Sequence, residues 1–195
     1  MKIAIISDIH DNFHNLVSAL KIIEERKPEQ IIFLGDFINN GIAKILANFK
    51  VPVFAVWGNN DGDKAAIKET SLKPGSNLKI SENIYDFLEF DGKKIFLTHY
   101  PDIAKQMAKS GEYDIVFYGH NHLKNLDKIG DCIVCNPGEI CAQKTGQAGF
   151  VIYDTKDNEI EFVEIEDSIR AKTEAVKKYL KDFDFKSSKS KGHQY

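Results

Sequence analysis

Five short apolar runs in this chain each end in residues that can hold a proton or a cation. "KIAII" leads into Ser7-Asp8-Ile9-His10, "IIFL" into Gly35-Asp36, "VFAVW" into Gly58-Asn59-Asn60-Asp61, "KIFL" into Thr98-His99 and "DIVFY" into Gly119-His120-Asn121-His122. Apolar runs of this length bounded by glycine, aspartate and asparagine read as buried strands. Where strands are mostly parallel their carboxyl ends share one edge, and ligands bind there. One Gly-Asp is an ordinary turn, but five such ends define a candidate site.

The stretches between the runs support a parallel arrangement. "NLVSALKIIEER" puts Leu16, Leu20 and Ile23 at helical spacing, and "GIAKILANF" separates the second run from the third. Residues 1 to 60 thus read as strands joined by crossover helices. After residue 80 the texture changes. "NIYDFLEFDGKKIFLTH" has Asp-Gly between two apolar stretches, which is a hairpin signal. "CIVCN", "GFVIYDT" and "EIEFVEI" follow with turn residues between them. Two sheets packed face to face with helices outside accommodate both halves in one domain.

Charge sets off the end of the chain. Residues 168–195 carry eight Lys or Arg against three Asp or Glu, so with a net charge of −3 for the whole chain, residues 1–167 hold −8. We expect a domain over residues 1–167, then a basic helix begun by Ser168 and a flexible tail that includes His193. An acidic body argues against nucleic acid as a partner. No run approaches the roughly 18 apolar residues of a membrane span, and "MKIAIISDIHDN" turns polar too early for a signal peptide, so the expected location is the cytoplasm. Cys132, Cys135 and Cys141 are an odd number and read as reduced structural thiols.

Carboxylates, imidazoles and one carboxamide, with no thiolate, make a hard to borderline ligand set suited to Mn, Fe, Ni or Zn. The set exceeds what one ion needs. Asp36 has two oxygens and can bridge two cations about 3.5–4 Å apart. His120 and His122, on either side of a loop, can then serve one ion each.

The series Asp-x-His, Gly-Asp, Gly-Asn-x-Asp, a lone His after a strand and Gly-His-x-His runs in that order from residue 8 to residue 122. It resembles the calcineurin-like metallophosphoesterases. The short chain and "NPGE" at residues 136–139 are similar to the small single-domain YfcE-like phosphodiesterase branch, which has a eukaryotic relative in a retromer subunit. The resemblance implies a four-layer αββα sandwich of two mixed β-sheets. It implies that Asp8, His10, Asp36 and His122 hold a first divalent metal and that Asp36, Asn59, His99 and His120 hold a second. Manganese is the first choice, with nickel, iron or zinc as alternatives. The activity implied is hydrolysis of a small, nucleotide-like phosphodiester by in-line attack of a water activated between two cations.

Asn60 departs from the wider superfamily, whose motif reads Gly-Asn-His-Asp. An amide can hydrogen-bond a phosphate oxygen but cannot deliver a proton near neutral pH. Asn60 is therefore read as a catalytic-loop residue that binds substrate, and Asp61 as a carboxylate that orients a ligand or the loop. His14 reads as a solvated helix-start residue, Trp57 as core, and "NPGE" as a turn, the other reading being a strand end that sets Gly138 and Glu139 near the site. Two other readings stay open: a scaffold that keeps the fold and binds protein partners, and a phosphomonoesterase or nuclease. A homodimer through strand edges of the second half is a further expectation.

Overall fold

The first strand, β1 (Lys2–Ile6), has apolar residues on both faces, so both must be covered. Ala4 and Ile6 pack with Leu16, Ala19, Leu20 and Ile23 of α1 (Phe13–Arg26). Ile3 and Ile5, on the other face, pack with Ile95, Leu97, Ile115 and Phe117 of a second sheet. Alternation along one strand thus specifies a helix layer on one side and a sheet on the other. The computed structural model describes residues 1–170. Residues 171–195, with His193 and most of the segment read as a basic helix and tail, lie outside the described residues.

In the first sheet, β2 (Gln30–Phe33), β3 (Val53–Ala55) and β4 (Leu78–Ile80) extend parallel from β1. On the other side of β1, β10 (Gly149–Asp154) and β11 (Glu159–Glu164) pair antiparallel, giving the order β11-β10-β1-β2-β3-β4. The second sheet is built round three parallel strands, β6 (Lys93–Thr98), β7 (Ile115–Phe117) and β9 (Cys132–Asn136). It is edged by the antiparallel β5 (Tyr85–Phe90) and β8 (Asn125–Ile129), giving the order β5-β6-β7-β9-β8.

Helices α2 (Asn40–Ala47) and α3 (Lys64–Ser71) join α1 over the first sheet through Ile42, Ala43, Leu46 and Ile67. Over the second sheet, α4 (Pro101–Lys109) sets Ala104 and Ala108 against Phe96, Val116 and Val134. The layers run helix, sheet, sheet, helix, as the sequence led us to expect. The Asp-Gly hairpin is also present: Asp91 and Gly92 both take positive φ, 50° and 73°, and join β5 to β6. Such a turn matches the twist of its strands.

The cysteines are free and buried. Cys132 faces α4 and Cys135 lies between the sheets, so the two thiols of the C-x-x-C point to opposite faces of β9 and cannot share an ion. No helix among the described residues is long and apolar enough to cross a membrane.

After β11 the chain returns to α1. Ile169 N donates to Asn15 Oδ1 at 2.9 Å, while the amides of Asn12 and Asn15 donate to Ile169 O at 2.8 and 3.0 Å. The same two side chains donate to Cys141 O and Ile140 O. Asn15 is fully buried and acts as a backbone surrogate between two loops. His14 is partly exposed at the helix start, with Nε2 3.0 Å from Asp167 O, and takes no part in the clusters described below.

Candidate metal centre

The carboxyl ends of β1, β2, β3, β6 and β7 bring their polar residues to one edge, with sharp backbone turns. Asp8, His10, Asp36, His120 and His122 have φ of 53°, 44°, 69°, 72° and 65°. This left-handed region is uncommon for residues with a Cβ, and Asp and His tolerate it better than most. Each such residue costs of order 1–3 kcal/mol, and a group of them is a sign of function. Two neighbouring glycines are required by contact. A Cβ on Gly58 would overlap the Asp36 carboxylate, and one on Gly119 would overlap Ser7 Oγ and Asp8 Oδ2.

Four side chains form a first cluster. Asp8 is fully buried, and its Oδ2 accepts from Ser7 Oγ at 2.5 Å and His120 N at 3.1 Å. Its Oδ1 has no hydrogen-bond partner and lies 3.4 Å from His122 Nε2 and 3.7 Å from His10 Nε2. His10 Nε2 is 3.1 Å from Asp36 Oδ2, yet the angles are poor and this buried nitrogen also lacks a hydrogen bond. Buried polar atoms left unpaired are costly and rare. Asp8, His10 and Asp36 each place a ligand atom within 4.8 Å of the other two, and among the described residues this is one of the groups that could hold a metal ion.

The second cluster shares Asp36. His99 Nδ1 donates to Leu34 O at 2.8 Å, which fixes the orientation of the ring. That Nε2 lies 2.9 Å from Asn59 Oδ1 and 3.5 Å from Asp36 Oδ1, both of them acceptors. His120 Nδ1 is 2.7 Å from the same Asn59 oxygen. Ligands at right angles about an ion, at bonds of about 2.1 Å, stand about 3 Å apart, the spacing found here. The donor types are those that divalent metal ions take.

Charge in the cluster follows the same logic. Burial disfavours the charged form of His10, but Asp36 and Asp8 outweigh it and push its pKa up to about 9. Burial likewise opposes the Asp36 carboxylate, which His10, His99 and Asn60 hold well below the usual range. In the ion-free protein His10 is therefore protonated at neutral pH, whereas a ligand must be neutral. Metal binding at pH 7.5 should release about one proton, and affinity should rise with pH up to about 9. Calorimetric titrations in buffers of different ionisation enthalpy will show this; equal heats after buffer correction would contradict it.

Asn60 N donates to Asp36 Oδ1 at 2.8 Å and its amide to Oδ2 at 3.0 Å, so Asn60 clamps the shared carboxylate. Asp61 accepts from Phe37 N at 2.5 Å and Gly58 N at 2.6 Å, tying the loops after β2 and β3 together. Burial raises the Asp61 pKa against those two bonds. Tyr100 packs beside His99 and His120, with centroids 5.4 and 5.9 Å away.

Glu139, read from sequence as part of a turn, proves to be attached to the site. It is 1% exposed, and its Oε2 accepts from His122 Nδ1 at 2.6 Å and from Cys141 Sγ at 2.9 Å. Oε1 accepts from Thr145 N at 2.7 Å, Thr145 Oγ1 at 2.8 Å and Lys144 N at 3.0 Å. Burial opposes its charge, but His122, Cys141 and the backbone donors bring its pKa down to about 2. The bond to Nδ1 fixes the tautomer of His122 and leaves Nε2 facing Asp8. Cys141 also lies near His10 and His122. Burial and Glu139 keep its thiol protonated, which makes it a donor to Glu139.

Residues 1–158 match the calcineurin-like phosphoesterase superfamily domain. A phosphodiesterase of Methanocaldococcus jannaschii is 35% identical over 168 residues, 85% of this chain and 100% of that one. The solved structure of an archaeal phosphodiesterase is similar at a TM-score of 0.74 and 33% identity, covering 84% of this chain and 99% of that chain. The phosphodiesterase YfcE of Escherichia coli is 22% identical over 169 residues, 82% of this chain and 89% of its own length.

Proposed function

The chain belongs to the calcineurin-like phosphoesterase superfamily, and from that premise we propose that it is a dinuclear metal-dependent phosphodiesterase acting on a small, nucleotide-like ester. The observation that carries this reading is the buried pair Asp8 Oδ1 and His10 Nε2, neither of which makes a hydrogen bond. Asp8, His10, Asp36 and His122 would hold one divalent ion; Asp36, Asn59, His99 and His120 would hold the other. Manganese is our first choice, and nickel, iron or zinc suit the same donors. When bound, the ions supply charge neutralisation at the phosphate and a water acidified toward neutral pH.

The chain's own residues do the rest. Asn60 presents one Asp36 oxygen to each cluster. Leu34 O, Glu139 and Ser7 fix the orientation of His99, His122 and Asp8. The ion pairs of Asp8 and Asp36 among the described residues are to histidines. Relatives named phosphodiesterases favour a diester over a monoester. Chelator-treated protein given Mn, Ni, Zn or Mg should cleave bis-p-nitrophenyl phosphate faster than the monoester. No turnover with any metal in a folded protein would favour the scaffold reading.

The Asn60 amide is engaged with Asp36 and has no proton to give a departing alkoxide. Turnover should therefore fall steeply as the leaving group becomes more basic. Asn60→His should raise the rate on alkyl esters relative to nitrophenyl esters by roughly tenfold or more, since general acids contribute about 100-fold and upward. An unchanged ratio would show that the leaving group needs no protein proton donor.

A further inference from the structure

Beside the second cluster lies a cleft of about 560 Å³. It is lined by Trp57, by Lys64, Ala65 and Lys68 of α3, and by residues 82–85, which include the acidic Glu82. The chain ties this cleft to the candidate ligands twice. Trp57 stands two residues before Asn59. Tyr85 pairs with Thr98, the neighbour of His99, and Thr98 Oγ1 donates to Ile84 O at 3.1 Å.

The groups in the cleft are unequal. Lys68 is already satisfied by Ile80 O at 3.0 Å and Glu82 Oε1 at 2.5 Å. Lys64 makes no ion pair among the described residues, and its ammonium rests 5.2 Å from the centre of the Trp57 ring. The indole is pinned from behind, its Nε1 donating to Ser81 O at 3.0 Å and its ring packing 6.0 Å from Phe37. An unneutralised cation laid on a fixed aromatic face suits a ligand with two parts. An anionic group pairs with the ammonium, and a planar ring takes the place over the indole once the lysine swings to the anion.

We propose that this cleft receives the leaving group of the substrate, and that the leaving group is a nucleotide, with its base against Trp57 and its own phosphate at Lys64. The assignment rests on the phosphodiesterase reading, since the cleft matters as a leaving-group seat only if the adjoining clusters hold the scissile phosphate. A neutral sugar or alkyl alcohol would leave Lys64 unpaired.

Trp57 is the single tryptophan of the chain, so its fluorescence reports on this cleft alone. The full chain should be titrated with AMP, adenosine and inorganic phosphate, with and without chelator. AMP should change the emission saturably, and should do so in chelator as well, which separates the cleft from the metal clusters. Lys64→Ala should weaken AMP roughly tenfold or more, the worth of one charge-assisted hydrogen bond, while Lys64→Arg retains it. Indifference to AMP, an equal response to phosphate alone, or unchanged affinity in Lys64→Ala would each overturn the assignment. Hydrolysis of bis-p-nitrophenyl phosphate is scored separately. Cleavage without AMP binding defeats the cleft and spares the activity, whereas AMP binding without cleavage of any diester defeats the leaving-group role.

Discussion

Asp36→Asn should lower phosphodiester hydrolysis by about 1,000-fold or more, a loss of roughly 4 kcal/mol in transition-state stabilisation. Asp36 is the one candidate ligand that faces both clusters, with Oδ2 3.1 Å from His10 and Oδ1 3.5 Å from His99. The substitution preserves shape but puts an amide where a charge is needed, so metal content should fall together with rate. It has a second consequence that requires no metal. The His10 pKa, held near 9 against burial chiefly by Asp36, should drop toward the ordinary histidine value in the ion-free variant. Proton NMR titration of His10 will measure it. A variant that keeps more than a tenth of the activity, or leaves the His10 titration in place, would remove Asp36 from its assigned position.

Glu139→Gln should weaken metal binding by about 10- to 100-fold, the usual effect of removing a carboxylate that orients a ligating histidine. The present carboxylate accepts the Nδ1 proton of His122 at 2.6 Å and several donors from residues 143–145. A glutamine has one accepting oxygen, so His122 loses its preference for the tautomer that leaves Nε2 bare. Nitrogen NMR of the imidazole in the ion-free protein will show a mixture of tautomers where the parent shows one. Reduced affinity with an unaltered His122 spectrum would mean that Glu139 acts on the loop alone. Glu139→Ala is a poorer probe, because it strands the loop donors in a buried place and destabilises the fold.

Much of this was legible in the sequence because strands and turns carry it locally. The runs ending at Asp8, Asp36, Asn59, His99 and His120 each announce their own turn; parallel pairing aligns the first three ends in one sheet and the last two in the other, and face-to-face packing of the sheets brings the two sets together. The four layers follow from the apolar residues on both faces of β1. Glu139 was legible only as a strand-end residue near the site, after "CIVCN", a sixth run of the same kind; its bond to His122 was not. Its partners, His122, Cys141 and residues 143–145, come together only once the chain after β9 turns back beneath the Gly119–His122 loop, and "NPGE" read alone is a turn. The role of Asn60 was likewise only half visible. Residue type excludes it as an acid, but that its amide grips Asp36 depends on the loops after β2 and β3 meeting across Gly58.

The docking of Ile169 onto Asn15 bears on where this chain can safely be cut. Asn12 and Asn15 grip Ile169 with the same amides that hold Ile140 and Cys141, the residues directly after Glu139. A protein truncated at residue 166 would uncover a fully buried asparagine and slacken the backbone that aims His122. Cleavage beyond residue 170 spares that seam. Products that end before Ile169 should therefore bind metal more weakly than the full chain, and metal titration of such shortened proteins will measure it.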